Sequence, residues 1–123
     1  KHGNVETAIF NGEFNATLQY AQIEDIVASR EFDGFVVVPN DTVGIAGAIE
    51  QAIASGIKVA TSLFPIGPDL TTLYPQVDGL TATAAGSPVY GATLQANEIV
   101  KFCINNVLKQ GIASKKIAFL YLN

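Results

Sequence analysis

The sequence predicts an α/β fold built on a doubly wound parallel sheet. Short apolar runs alternate along the chain with segments whose apolar residues recur at helical spacing. The run Gly34–Val38 is apolar on both faces, which is typical of a strand buried inside a parallel sheet. No hairpin signal lies between two predicted strands. The dipeptide Asn11-Gly12 is of the hairpin type, but a helical segment follows it. Together these three observations favour strand-helix units joined by crossovers.

Composition supports a globular domain. The 123 residues are 49% hydrophobic and 15% charged, which is enough apolar material for one core and argues against disorder. A net charge of −4 disfavours a nucleic-acid-binding surface. The single cysteine, Cys103, excludes an intramolecular disulfide, and its apolar neighbours predict a buried, inert thiol.

The first strand is predicted at Val5–Phe10, a short apolar run. After a loop, Asn15 is a plausible N-cap for a helix that runs to about Arg30. Gln19 and Gln22 are expected to lie mostly off the apolar side of this helix. That side is formed by Leu18, Ile23, Ile26 and Val27.

The next unit begins with the strand Gly34–Val38, which Pro39 ends because proline cannot donate to a central ladder. Asp41 or Thr42 is expected to cap a second helix, and Gly56 suits the position just after its end. The strand Ile57–Ser62 follows. The apolar face of the second helix comprises Ile45, Ile49, Ala52 and Ile53.

The remainder continues the alternation. Residues Leu63–Gln76 hold three of the five prolines and predict an irregular loop, and Gly79–Ala85 predicts a strand. Ser87-Pro88 starts a helix that extends to about Lys109, with its stripe at Ala92, Ala96, Ile99, Cys103 and Val107. Lys115–Leu122 predicts a final strand that is apolar on both faces.

Catalytic and metal-binding patterns are scarce. The chain has neither a dinucleotide Gly-x-Gly-x-x-Gly nor a phosphate-binding Gly-x-x-x-x-Gly-Lys motif, and its only histidine is His2. Asp33 precedes a strand at its amino end, away from the expected ligand side. Asp41 follows a strand, where helix capping explains it and ligand contact is the alternative. We therefore predict no catalytic residue, no metal site and no cofactor.

Three stretches, taken together, resemble a known family. They are Gln19-x-x-Gln22-Ile23-Glu24-Asp25-Ile26, Phe32-Asp33-Gly34 with Val36 to Asp41, and Ala48-Ile49 with Ala52 and Gly56-Ile57-Lys58-Val59. The combination resembles the type 1 periplasmic binding proteins. These are the solute receptors of bacterial ABC importers, and the resemblance is strongest to the branch that binds ribose and related sugars. It extends from about Gly3 to Asn123.

In that family two α/β lobes close on a solute held between them. The resemblance implies that residues 1–86 form part of the first lobe, without the family's first strand and most of its first helix. Residues 87–123 would begin the second lobe. A hinge is expected near Gly86-Ser87.

The resemblance also implies the ligand-binding residues, with departures from the ribose type. Leu63-Phe64 stand where ribose receptors carry an Asp-Arg pair, and the asparagine that ends the third strand is displaced to Asn40. Phe64 either stacks on a sugar ring or packs with Leu63 under the following loop. We expect a pocket less polar than that of a ribose receptor. Its contacts would be Asn11, Asn40, Ser62, Leu63, Phe64 and Ser87.

The expected function is therefore a solute-binding receptor of an ABC importer, located in the periplasm or outside the cell, with tethering as a lipoprotein among the options. Its partners would be a small-molecule solute and a membrane permease, and no nucleic acid. One alternative is the effector-binding core of a LacI-like transcription regulator, and another is an α/β enzyme whose active residues lie elsewhere. Strands apolar on both faces also predict that this chain self-associates.

Overall fold

The computed structural model describes residue 3 and residues 5–107 of the chain. Residue contacts divide the chain into two compact units, Lys1–Val89 and Tyr90–Asn123. The predicted strand Lys115–Leu122 and the end of the last predicted helix lie outside the described residues. The lobe boundary at residues 86 and 87 stays a prediction.

The first unit contains a parallel sheet of three strands. They are β1 (Gly34–Val37), β2 (Lys58–Leu63) and β3 (Ala82–Ala85), in the spatial order β1-β2-β3. Gly34 lies opposite Lys58, and Ala60 lies opposite Ala82. Together with the helices before, between and after these strands, the parallel sheet confirms the α/β class that the sequence predicts.

The prediction of a strand at Val5–Phe10 is wrong. Among the described residues the sheet ends at β1, and residues 5–10 are exposed, with Ile9 97% accessible. A strand exists only where a neighbouring strand supplies backbone partners, which apolar composition alone does not guarantee. For the same reason β1 is an edge strand here and not a central one, and its Val36 is 71% exposed.

The helices follow the predicted pattern closely. Helix α1 (Ala16–Ser29) is capped by Asn15, whose Oδ1 accepts from the Leu18 N–H at 3.0 Å. Helix α2 (Ala46–Ala54) ends before Gly56, which has the left-handed φ of +91° expected just after a helix. Helix α3 (Pro88–Phe102) begins at the predicted proline and continues as a π-helical turn over Cys103–Val107.

The core of the first unit lies between the two helices α1 and α2 and one face of the sheet. That face presents Val37, Val59 and Thr61, which are all buried. The helices contribute Ile23, Ile26, Ile45, Ala48, Ile49 and Ala52. The irregular segment between β2 and β3 adds Ile66, Val77 and Leu80, so this loop is part of the core.

The opposite face of the sheet has a different character. Alternate residues point there, and Val36, Ala82 and Ala84 are exposed while Ala60 is half-buried. Within the first unit, helices therefore cover one face of the sheet only.

In the second unit, described residues of α3 show none of the burial that the predicted stripe implies. Ala92 and Ala96 are exposed, and Cys103 is half-buried. The prediction of a buried thiol is therefore wrong at this residue. A helical stripe indicates which face can be buried, but it does not supply the surface that covers it.

Candidate functional site

The candidate site lies where the three parallel strands end. Because β1, β2 and β3 run in the same direction, their carboxyl ends meet at one edge of the sheet. Three of the loops at this edge carry predicted ligand residues: Asn40 after β1, Leu63 and Phe64 at the end of β2, and Ser87 after β3. The loop before α1, which carries Asn11, joins the same edge through hydrogen bonds.

Asn11 and Asn40 are brought together through Gly12. The Asn40 side-chain Nδ2 donates to the Gly12 carbonyl at 3.3 Å. A Cβ atom on Gly12 would lie 2.8 Å from the same Nδ2, so a larger residue there would force the Asn40 side chain to move. The Asn11 Oδ1 accepts from the Glu13 N–H at 3.0 Å and closes the turn that leads to α1.

Two glutamines of α1 fix the positions of these loops. The Gln19 Nε2 donates to the Val38 carbonyl at 2.8 Å, and its Oε1 accepts from the Asn40 N–H at 2.8 Å. The Gln22 Nε2 donates to the Asn11 carbonyl at 2.9 Å. Both glutamines are half-buried. Neither belongs to the apolar core of the first unit, so both lie off the apolar side of α1 as predicted, and their amides hydrogen-bond the loops at the strand ends.

Leu63 and Phe64 form a sharp turn at the end of β2. Leu63 has a left-handed φ of +72°, and its side chain is 58% exposed. The buried Thr61 hydroxyl donates to the Phe64 carbonyl at 2.6 Å and holds the turn from below. A left-handed backbone at leucine costs about 1–2 kcal/mol, which the surrounding contacts must offset. The turn presents two exposed apolar side chains at the carboxyl end of β2, the strand beside β1.

Ser62 and Ser87 are the two serines among the predicted ligand residues. Ser62 belongs to β2, where it is paired with Ala84 and half-buried. Because its neighbours Thr61 and Leu63 alternate with it, Ser62 points to the face of the sheet that α1 and α2 leave open. Ser87 lies two residues beyond β3 and is half-buried. Hydrogen bonds therefore bring the loops of Asn11 and Asn40 together, while Ser62, Leu63 and Phe64 lie at the end of the adjacent strand β2.

Asp41 acts mainly on its own turn. Its Oδ1 accepts from the Gly44 N–H at 2.8 Å and from the Val43 N–H at 2.9 Å. These two backbone hydrogen bonds, that of Gly44 first, lower the pKa of the Asp41 carboxyl below its usual value. The turn at 42–45 precedes α2, whose N-cap position is Ile45, so Asp41 caps the turn and not the helix itself.

The electrostatic character of the edge follows from its sequence. The loops at 11–15, 38–45, 62–69 and 85–87 hold Glu13, Asp41 and Asp69 and contain no lysine or arginine. Their other polar groups are amides and hydroxyls. Such an edge favours a neutral ligand rich in hydroxyls over an anionic one.

A groove lies at this edge between the first turns of α1 and the turn before α2. It has a volume of about 210 Å³, and its walls include Gln19, Tyr20, Asp41 and Ile45. Small-molecule sites usually enclose about 300–1,000 Å³. The groove is smaller than that, and none of Asn11, Asn40, Leu63 and Phe64 lines it.

Comparison with protein-family models, with curated proteins and with solved structures finds no match to this chain. A proposal for the function therefore rests on the sequence and on the geometry of this edge of the sheet. In the described part of the chain, no cluster of three metal-type ligands occurs. None of the described helices is long and apolar enough to cross a membrane.

Sequence reasoning missed the residues that hold the site in place. Gln19 and Gln22 are spaced i, i+3 in the first half of a helix that starts at the ligand edge, and this position is the signal that could have identified them. Thr61 offered a weaker signal, since a threonine inside an apolar strand needs a hydrogen-bond partner when buried. Nothing in the sequence indicated that Leu63 adopts a left-handed backbone.

Proposed function

We propose that this chain is part of a solute-binding receptor of a bacterial ABC importer, of the type 1 periplasmic binding protein kind. The proposed solute is a sugar or a sugar-like molecule less polar than ribose. Residues 1–86 would form part of the first lobe of that receptor, and a second lobe, which residues 87–123 would begin, would close on the solute from the other side. The receptor would work outside the cytoplasmic membrane and deliver its solute to a permease.

One observation supports this proposal above the others. The edge combines two amide side chains, Asn11 and Asn40, with the exposed apolar pair Leu63-Phe64. Sugars present hydroxyls around the ring and an apolar face of C–H groups, so amides and an aromatic ring are suitable partners. Phe64 is 37% exposed, which leaves part of its ring accessible to a ligand.

The exposure of Asn40, Leu63 and Phe64 at the edge of the sheet supports a closing mechanism. A ligand seated against one wall loses little of its surface to the protein, so high affinity needs a second wall. Closure of two lobes supplies that wall, and the solute stabilises the closed form because it contacts both lobes only there. The permease would then distinguish loaded from empty receptors by their shape.

Isothermal titration of the intact protein tests the proposal. The matched probes are D-galactose and D-fucose, which differ by one hydroxyl, with D-ribose as the polar reference. We expect binding of at least one sugar, and tighter binding of D-fucose than of D-galactose because Leu63-Phe64 replaces a charged pair. Tight binding of D-ribose or D-galactose would contradict the less polar pocket, and no heat with any of the three sugars would contradict the receptor proposal.

Substitution at the apolar pair gives a second test. Phe64→Ala removes the aromatic face, and we expect affinity for D-fucose to fall about tenfold. The matched control is Tyr74→Ala, which removes an exposed aromatic ring from the same connecting segment outside the cluster. Equal affinities in the two variants would show that Phe64 packs under the loop and does not contact the sugar.

A further inference from the structure

Gln19 is the only described residue whose side chain bridges the backbone on both sides of Pro39. Its amide donates to the carbonyl of Val38 and accepts from the N–H of Asn40, both at 2.8 Å. This is the two-point pairing that a neighbouring strand would provide, supplied here by one side chain. It acts where β1 has ended and where, among the described residues, no strand pairs with the backbone of Asn40.

We infer that Gln19 is a positioning residue for ligand binding, which sets the backbone of Asn40 and so aims the Asn40 side chain at the solute. The inference rests on the proposed receptor function. Gln19 itself is half-buried behind the loop, so its effect is transmitted through Asn40.

The contacts around Asn40 show how Gln19 can affect its side chain. Asn40 is exposed, and its side-chain Nδ2 is directed to the Gly12 carbonyl. Among the described residues, its Oδ1 receives no hydrogen bond and is available to a ligand hydroxyl. With the backbone held at one end and the Nδ2 at the other, the Oδ1 has little freedom left. Ordering an acceptor before binding reduces the entropy lost when the ligand arrives.

Pro39 makes a clamp necessary at this point. Proline has no N–H to donate, so the backbone beyond β1 lacks one of the hydrogen bonds that would fix it. Gly12 adds to the requirement, because the Asn40 Nδ2 reaches the Gly12 carbonyl at 3.3 Å only while this loop keeps its position. The Gln19 amide therefore fixes a segment whose own backbone cannot.

Substitution can separate the two hydrogen bonds of the Gln19 clamp, one to the Val38 carbonyl and one from the Asn40 N–H. Gln19→Ala removes both hydrogen bonds. Gln19→Glu keeps an oxygen that accepts from the Asn40 N–H but loses the donor to the Val38 carbonyl. The matched control is Gln51→Ala, at an exposed position of α2, where no hydrogen bond to the side chain is present among the described residues.

The first measurement is hydrogen exchange of the Asn40 amide in the intact protein without ligand. We expect exchange about tenfold faster in Gln19→Ala than in the wild type, and near wild-type exchange in Gln19→Glu and Gln51→Ala. Unchanged protection of this amide in Gln19→Ala overturns the inference, because Asn40 would then be held by other contacts.

The second measurement is affinity for D-fucose and D-galactose, which a purely structural role would not alter selectively. We expect Gln19→Ala to bind the better of the two sugars about tenfold more weakly than the wild type does. Its unfolding midpoint should stay close to that of Gln51→Ala. Gln19→Glu should recover part of the lost affinity. Equal affinity in Gln19→Ala and the wild type overturns the inference and leaves the receptor proposal intact. Failure of the wild type to bind either sugar overturns the receptor proposal for these sugars, and with it the role of Gln19 in binding them. The exchange data then describe a structural clamp only.

Discussion

At the scale of the residue, the site depends on side chains that bind backbone and not ligand. Gln19, Gln22 and Thr61 each hydrogen-bond a loop carbonyl or N–H at the ligand edge. Such residues are hard to predict from sequence, because their partners lie on other elements whose placement is not yet known. Asn15 could be predicted because its capping partner is three residues away.

Thr61 permits a direct test of this dependence. Its hydroxyl carries one proton, and of the two carbonyls within reach that of Phe64 is nearer, at 2.6 Å against 3.3 Å for Val37. Thr61→Val keeps the shape but removes the donor, so we expect a loss of about 1–2 kcal/mol in the free energy of unfolding. Urea unfolding measures it, with Thr61→Ser as the control that keeps the hydroxyl. Equal stability of the valine variant and the wild type would show that the hydroxyl does not hold the Leu63–Phe64 turn.

Asp41 makes the free energy of unfolding depend on pH in the acidic range. Its pKa is lowered in the folded state by the N–H groups of Gly44 and Val43, so the unfolded chain binds the proton first as the pH falls. The stabilisation is present above the unfolded pKa of about 4 and is lost as the pH falls through the folded pKa. Asp41→Asn keeps an acceptor without the charge, and we expect its urea midpoint to fall less than that of the wild type between about pH 6 and pH 3. Identical pH profiles would contradict this assignment.

At the scale of the element, the local sequence pattern predicted well whether a segment is a helix or a strand. It predicted poorly which strands pair with one another. Helix α1 and strand β2 lie within one or two residues of their predicted bounds, whereas α2 begins at Ala46, later than a cap at Asp41 or Thr42 predicts. The element types could be predicted because helical spacing and Gly56 are local signals. The predicted strand at residues 5–10 failed, and β1 became an edge, because both depend on a neighbour that is distant in sequence. The candidate site shows the same division: the strand ends could be predicted, but the clamp that positions Asn40 could not.

The segment between β2 and β3 provides a prediction at this scale. Gly67 has a φ of +127°, and a Cβ atom there would lie 2.6 Å from the Gln76 side chain. That side chain is itself paired with the Asp69 backbone at 2.8 and 2.9 Å. We expect Gly67→Ala to lower the free energy of unfolding by more than about 1 kcal/mol, since both backbone strain and the clash oppose it.

Gly86 is the matched control for that substitution. No atom lies within 4 Å of a Cβ placed there, and its φ is outside the left-handed region. Gly86→Ala should therefore leave thermal unfolding unchanged or raise the midpoint slightly. A similar loss in both variants would indicate a general effect of replacing glycine and not the specific contact at Gly67. The structure does not require glycine at Gly86, so the proposed hinge must rest on flexibility and not on a strained backbone.

At the scale of the whole molecule, the open face of the sheet predicts self-association. Val36 on β1 and Ala82 and Ala84 on β3 form an exposed apolar face, and among the described residues one edge of β1 is unpaired. The side chains of Val5, Ile9 and Phe10 are exposed as well. A flat apolar face with a free strand edge favours contact with a second copy of the same surface. We expect the 123-residue chain to show a mass above that of the monomer by light scattering at high concentration.

Val36→Lys tests whether the open face is responsible. The change places a charge on the exposed face, at a side chain already 71% accessible, so folding should be little affected. Val100→Lys is the matched control, because it makes the same change of charge at a half-exposed position on α3. We expect Val36→Lys to shift the chain toward the monomer while Val100→Lys does not. A monomeric wild type at high concentration would contradict self-association, and an equal shift in both variants would indicate that net charge, and not the sheet face, controls it.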